Sequence, residues 1–263
     1  MPSILDGSGQ IIDAWLGIDE RWKGEREPRY CSDTSFQRLC DSANRPEDLN
    51  GRRLVVDLVQ CIEENWRHAG QPVARGQENW RFEKQLNLTP NNPSPEVTLE
   101  RSIAMLMDNS WVNQVPVASG VVGDGDQRRA IDLIHQTKGD HYEFIELKVD
   151  ARSGHVLRAA MEILEYGAIY MFSRKHRERL GYPGDNRLLN AESVELCVLA
   201  PREYYGECDL AWLAQAINQG LREATAGRYS MSFQFRHFPE DFTWRPWNVP
   251  LANALQGIQP LGQ

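Results

Sequence analysis

A single acid inside an apolar strand limits what this chain can fold into. From Arg128 to Asp150 the sequence runs RRAIDLIHQTKGDHYEFIELKVD, and Asp132 interrupts the apolar segment Ala130, Ile131, Leu133, Ile134. A buried carboxylate costs several kcal/mol unless a cation or good pairing compensates it. In the strand that follows, alternation puts Ile145, Leu147 and Val149 on one face and Phe144, Glu146 and Lys148 on the other. A hairpin around Lys138-Gly139-Asp140 brings Asp132 near Glu146, so that two carboxylates and an ammonium share one dry neighbourhood. A divalent metal is the economical compensation, and the hard carboxylate oxygens point to Mg²⁺ or Mn²⁺ rather than Zn²⁺.

The flanking segments carry further polar groups. A helix is predicted from Ser94 as N-cap, with Pro95 at the first helical position and Glu96 in the first turn. Its apolar stripe is Leu99, Ile103, Leu106 and Met107, and at about 100° per residue Glu100 falls inside that stripe. Trp111 to Ser119 reads as the first core strand, and Gly123-Asp124-Gly125-Asp126 as a turn between strands. A long helix is predicted over about Val156 to Arg179, with Val156, Ala160, Ile163, Gly167 and Met171 buried. Tyr166 and Tyr170 lie toward that arc and Glu162 at its border. A strand (Ser193 to Ala200), a helix (Asp209 to Thr225) and a strand (Ser230 to Phe238) follow, and the tail with Trp244 and Trp247 folds back onto the body.

Residues 1–93 read as a helical N-terminal extension and 94–263 as the core, separated by the proline- and asparagine-rich break from Thr89 to Pro95. Within the extension, helical spacing marks Ile11 to Leu16, Ser35 to Asp41 and most clearly Arg52 to His68, which Gly70 and Pro72 close. Trp80, Arg81, Phe82 and Lys84 mix aromatic and basic side chains; core packing is the expectation, base stacking the functional alternative.

An acid on one core strand followed by E-x-K on the next, here Asp132 and Glu146-Leu147-Lys148, resembles the PD-(D/E)XK, or restriction-endonuclease-like, nuclease superfamily. A glutamate on the preceding helix (Glu100) and the spacing Glu162-Ile-Leu-Glu-Tyr166 on the following one also match, over roughly Pro95 to Phe238; Ile131 stands where the motif's proline would be. The resemblance implies an α/β fold with an αβββαβ core, a central mixed sheet and flanking helices. It implies a Mg²⁺- or Mn²⁺-dependent nuclease acting on DNA, in which Asp132, Glu146, the Leu147 carbonyl and Glu100 serve the metal. Lys148 would act on the attacking water or the phosphoryl oxygens. Glu162, Tyr166, Tyr170, Arg152 and Arg158 would support the site or the substrate.

Composition narrows the alternatives. With 263 residues, 41% hydrophobic and 25% charged, the chain can bury a sizeable core and is ordinary for a globular protein. No apolar run approaches the roughly 20 residues of a bilayer span, and MPSILDGSGQ has no secretory character, so a cytoplasmic location is the default expectation. A net charge of −8 argues against a surface that coats nucleic acid as a whole, yet leaves room for a local groove: between Asp150 and Glu178, four acids face five Arg or Lys, and Arg179 follows. The five cysteines are scattered, without C-x-x-C, so neither a disulfide framework nor structural zinc is expected. No phosphate-binding glycine loop, H-E-x-x-H or G-x-S-x-G occurs. The competing expectation is a non-catalytic member of the same fold that recognises nucleic acid or protein. A homodimer or an accessory protein is compatible with either, since cutting two strands favours two copies.

Overall fold

Strong turn and cap signals place most elements where periodicity predicts them. The computed structural model describes residues 3–18, 29–71, 79–87, 94–120, 129–152, 154–244 and 251–262. Pro72, positions 89–93 of the expected interdomain break, the turn at Gly123–Asp126 and Trp247 lie outside the described residues. Helices α1 (Ser8–Trp15), α2 (Asp33–Cys40) and α3 (Gly51–His68) precede α4 (Pro95–Leu106). Strands β1 (Trp111–Pro116), β2 (Ala130–Lys138) and β3 (His141–Leu147) follow, then α5 (Val156–Lys175), β4 (Ser193–Ala200), α6 (Ala211–Thr225) and β5 (Ser230–His237). The tail adds α7 (Leu251–Gln256) and a two-residue strand, β6 (Gln259–Pro260), which sequence periodicity did not reveal. Caps explain the starts: the Ser94 hydroxyl accepts the Val97 N–H at 3.4 Å, and the Asn50 side chain accepts the Arg53 N–H at 2.9 Å.

The protein is α/β, with one six-stranded mixed sheet in the order β1-β2-β3-β4-β5-β6. The β1–β2, β2–β3 and β5–β6 pairs are antiparallel; β3–β4 and β4–β5 are parallel, with α5 and α6 as crossovers. Arg236 ties the parallel strands, donating from Nη1 to Glu143 Oε1 at 2.6 Å and from Nη2 to Glu195. No helix among the described residues is long and apolar enough to cross a membrane.

Two apolar cores flank the sheet. The smaller gathers Leu99 and Ile103 of α4 with Leu133, Ile145, Leu147, Phe238 and Phe242. The larger is continuous from Ile4, Leu16 and Leu58 of the N-terminal helices to Phe144, Ile163 and Phe233. The N-terminal segment therefore shares the core rather than folding apart from it. This changes α5, predicted to have one buried face: from Val156 to Ser173 only Arg158 and Glu162 stay out of the interior. Glu165, one of the four acids between Asp150 and Glu178, is buried and accepts the Ser8 hydroxyl at 2.6 Å, with Arg129 at 3.5 Å. Trp80 packs against Phe144 and Tyr170, and Phe82 against Tyr142, as core-forming aromatics.

One expectation needs correcting. Cys40 and Cys208 form a disulfide across 168 residues of sequence, joining α2 to the loop before α6. Spacing carried no sign of it because the pair is created by tertiary folding, not by a local motif.

Helices α3 and α6 cross with their backbones in contact. A Cβ on Gly220 would lie 2.1 Å from the Gly51 carbonyl oxygen, and one on Gly51 would lie 1.7 Å from that of Ala216. Gly220→Ala is therefore expected to destabilise the protein by about 1–3 kcal/mol or more through overpacking, read as a lower urea midpoint with an unchanged m-value. An unchanged midpoint would show that this crossing is looser than described.

Candidate active site

The β2–β3 register builds the site. Leu133 pairs with Ile145 and Ile134 with Phe144, which sets Asp132 opposite Glu146 on the face covered by α5. Asp132 accepts the Leu147 backbone N–H at 2.8 Å, so the hairpin itself orients the carboxylate. Lys148 follows β3 and extends the parallel ladder, its N–H donating to the Leu199 carbonyl at 2.9 Å. Its Nζ donates to Glu146 Oε1 at 2.7 Å and lies 3.8 Å from Glu96 Oε1.

Asp132, Glu146, Lys148, Glu162 and Arg158 line one cavity of about 420 Å³, within the range of small-ligand sites. Glu100 stands behind it, buried to 1% exposure, and accepts a hydrogen bond from Gln114 Nε2. Gln114 has φ +50, in the left-handed region, at the β1 position facing Asp132 in register. Such a backbone state in a strand costs about 1–3 kcal/mol and tends to sit beside functional sites. Tyr166 donates its hydroxyl to Glu162 Oε1 at 3.1 Å, as the four-residue spacing on α5 dictates.

Two sequence-predicted residues fall outside this cluster. The Tyr170 hydroxyl donates to the Leu188 carbonyl at 2.8 Å and receives Arg174 Nη1 at 2.9 Å, deep in the core. Arg152 is exposed, and its guanidinium lies 3.2 Å from Asp150. Three residues with polar side chains that sequence reading did not select also line the cavity: Glu96, His155 and Tyr204. Glu96 reads in sequence as a first-turn acid complementing the helix dipole. His155 and Tyr204 precede α5 and follow β4; the only signal available for them was position, near the carboxyl ends of parallel strands, where open α/β sheets bind ligands.

The electrostatics are those of charges crowded out of water. Burial, then repulsion from Glu100, holds the Asp132 carboxyl well above its ordinary range. Burial and the charge of Asp132 do the same to Glu146. Burial alone would lower the Lys148 pKa, but Glu146, Asp132 and Glu96 override it and keep the ammonium charged. Among the described residues no group of three His, Cys, Asp or Glu side chains forms a ready-made metal cage. The donor set nevertheless suits Mg²⁺, which binds through one or two carboxylates and keeps several waters and substrate oxygens rather than filling an all-protein cage. Two mutually repelling carboxylates on one cavity wall are what such a cation relieves. Comparison with known protein families, curated proteins and solved structures returns no match.

Glu100 makes the metal-free site measurable. Burial, opposed by the Gln114 hydrogen bond and reinforced by Glu146, lifts its pKa from 4.5 to about 7. Between those values the folded state binds more protons than the unfolded state, so stability falls as pH rises through that window. Glu100→Gln is expected to be more stable than wild type by on the order of 2–3 kcal/mol at pH 8 in EDTA, with most of the gain gone at pH 5. Urea unfolding at the two pH values checks this; an equal difference at both would rule out the raised pKa as its cause.

Proposed function

We propose that this chain is a metal-dependent nuclease with a restriction-endonuclease-like core, hydrolysing phosphodiester bonds in DNA. The observation that carries the reading is that Asp132 and Glu146, the next residues beyond the Leu133–Ile145 pair, line one cavity in which the Lys148 ammonium is held at 2.7 Å from Glu146. A structural scaffold has no need of this arrangement, which costs stability. In this reading Asp132, Glu146 and the Leu147 carbonyl hold Mg²⁺ or Mn²⁺, with Glu100 as an outer acid. When bound, the ion neutralises phosphate charge and acidifies a water for attack.

The roles of the side chains follow from their surroundings. Lys148 is fixed in its protonated form by the acids around it, so it serves as a donor to phosphoryl oxygens and an orienter of water, not as a proton acceptor. Asp132 is aimed by the Leu147 N–H, and Glu146 holds Lys148 in place. Glu162, steadied by Tyr166, and Arg158 at the cavity wall face the substrate side. Cleavage of both strands by one site per chain would use two copies or an accessory protein.

The second reading is a binding protein of the same fold without cleavage, favoured by the net charge of −8. Calorimetry separates the two: a folded protein with no affinity for Mg²⁺ or Mn²⁺, alone or with DNA, supports the binder.

Supercoiled, linear and single-stranded DNA incubated with Mg²⁺ or Mn²⁺ should be cut by wild type and left intact in EDTA. Asp132→Asn should abolish cleavage and the Mn²⁺-induced rise in Tm while remaining folded. Lys148→Ala should lower the rate by about 10²–10³-fold. Full activity in a folded Asp132→Asn protein would overturn the assignment.

A further inference from the structure

One wall of the cavity belongs to a tyrosine whose hydroxyl no described residue uses. Tyr204 lies in the 3-10 turn Arg202–Tyr205 that directly follows β4, and is 6% exposed. Tyr204 lines the cavity shared by Lys148, Asp132 and Glu146, and its hydroxyl, closed to solvent in the free protein, has no hydrogen-bond partner among the described residues. A buried hydroxyl without a partner is costly, so a position that keeps one calls for a ligand that satisfies it.

The turn presents this group rigidly. The next residue, Tyr205, is buried, with its hydroxyl 2.8 Å from the Val198 carbonyl and 2.6 Å from that of Arg236. Its ring meets that of Tyr204 edge-on at 5.5 Å, and the Tyr204 N–H donates to the Pro201 carbonyl at 3.0 Å. Tyr204 is thus anchored through the ends of β4 and β5. Its charged neighbours are Lys148, Glu146, Glu96 and Glu162. The nearby acids already have partners: Glu146 and Glu96 flank Lys148, and Glu162 accepts Tyr166. Each of these acids has one oxygen engaged, and a donor on the wall of a cavity that also holds the Lys148 ammonium is matched by an anionic oxygen brought in from outside.

We propose that Tyr204 is a substrate-contacting residue of this site, its hydroxyl donating to a phosphoryl oxygen of the bound strand next to Lys148. The proposal rests on the nuclease reading above. Tyr204→Phe tests it, because it removes the hydroxyl and keeps the ring. Binding of a fluorescein-labelled oligodeoxynucleotide, single-stranded and duplex, is followed by anisotropy with Ca²⁺ replacing Mg²⁺, alongside kcat/KM in Mg²⁺ and Tm without DNA. The expected result is an affinity and a kcat/KM about tenfold lower or more, with Tm unchanged or raised, since the lost hydroxyl has no partner among the described residues. Equal affinity and kcat/KM in an actively cleaving pair of proteins overturns the Tyr204 role and leaves the nuclease reading standing. An affinity loss matched by a fall in Tm also overturns it, assigning the hydroxyl to packing. A wild type that neither binds nor cuts any of the DNA forms overturns both.

Discussion

The antiparallel register of β2 on β3 is the constraint from which the rest follows. A one-residue slip would turn Asp132 away from Glu146 and drive Leu133 and Ile145 out of the smaller core, so packing and chemistry enforce the same pairing. Holding two carboxylates and an ammonium in that pairing is expensive, because each loses hydration and the two acids repel. Lys148 offsets part of the cost with a 2.7 Å contact to Glu146, and the Leu147 N–H offsets part of it at Asp132. What remains is electrostatic strain of the sign that a divalent cation would relieve.

Such strain is tolerated only on a stiff support. The parallel pairing of β3 to β4 and β4 to β5 continues past the site, since the Lys148 N–H joins the Leu199 carbonyl and the Phe238 N–H joins that of Ala200. Helix α5 lies against the same face, and the N-terminal helices cover its outer side, which is why it is buried almost all round. The N-terminal segment also reaches the cavity wall, where His155 Nε2 contacts the Cys31 carbonyl and the His155 ring stacks on Phe36 at 6.0 Å. A segment that looked peripheral in sequence thus helps define the shape of the site.

The sequence by itself determined the elements and the acids: the order of helices and strands, the Ser94 cap, the turn at Gly139-Asp140, and Asp132, Glu146 and Glu100 as carboxylates facing an interior. These are legible because capping, side-chain alternation and helical periodicity are local, and an acid at an apolar position stands out against them. Only the tertiary structure decided what lies opposite those acids. Tyr204 and His155 reach the cavity through loops whose sequence carries no period, and Glu96 acquires its role only because α4 lies beside the end of β3. Tyr170, one turn from Tyr166, turns instead to Leu188 and Arg174. The Cys40–Cys208 disulfide, the burial of Glu165 by Ser8 and the added edge strand β6 are likewise contacts between distant segments. Periodicity reports which face of an element is buried; which partner it meets there depends on how the whole chain closes.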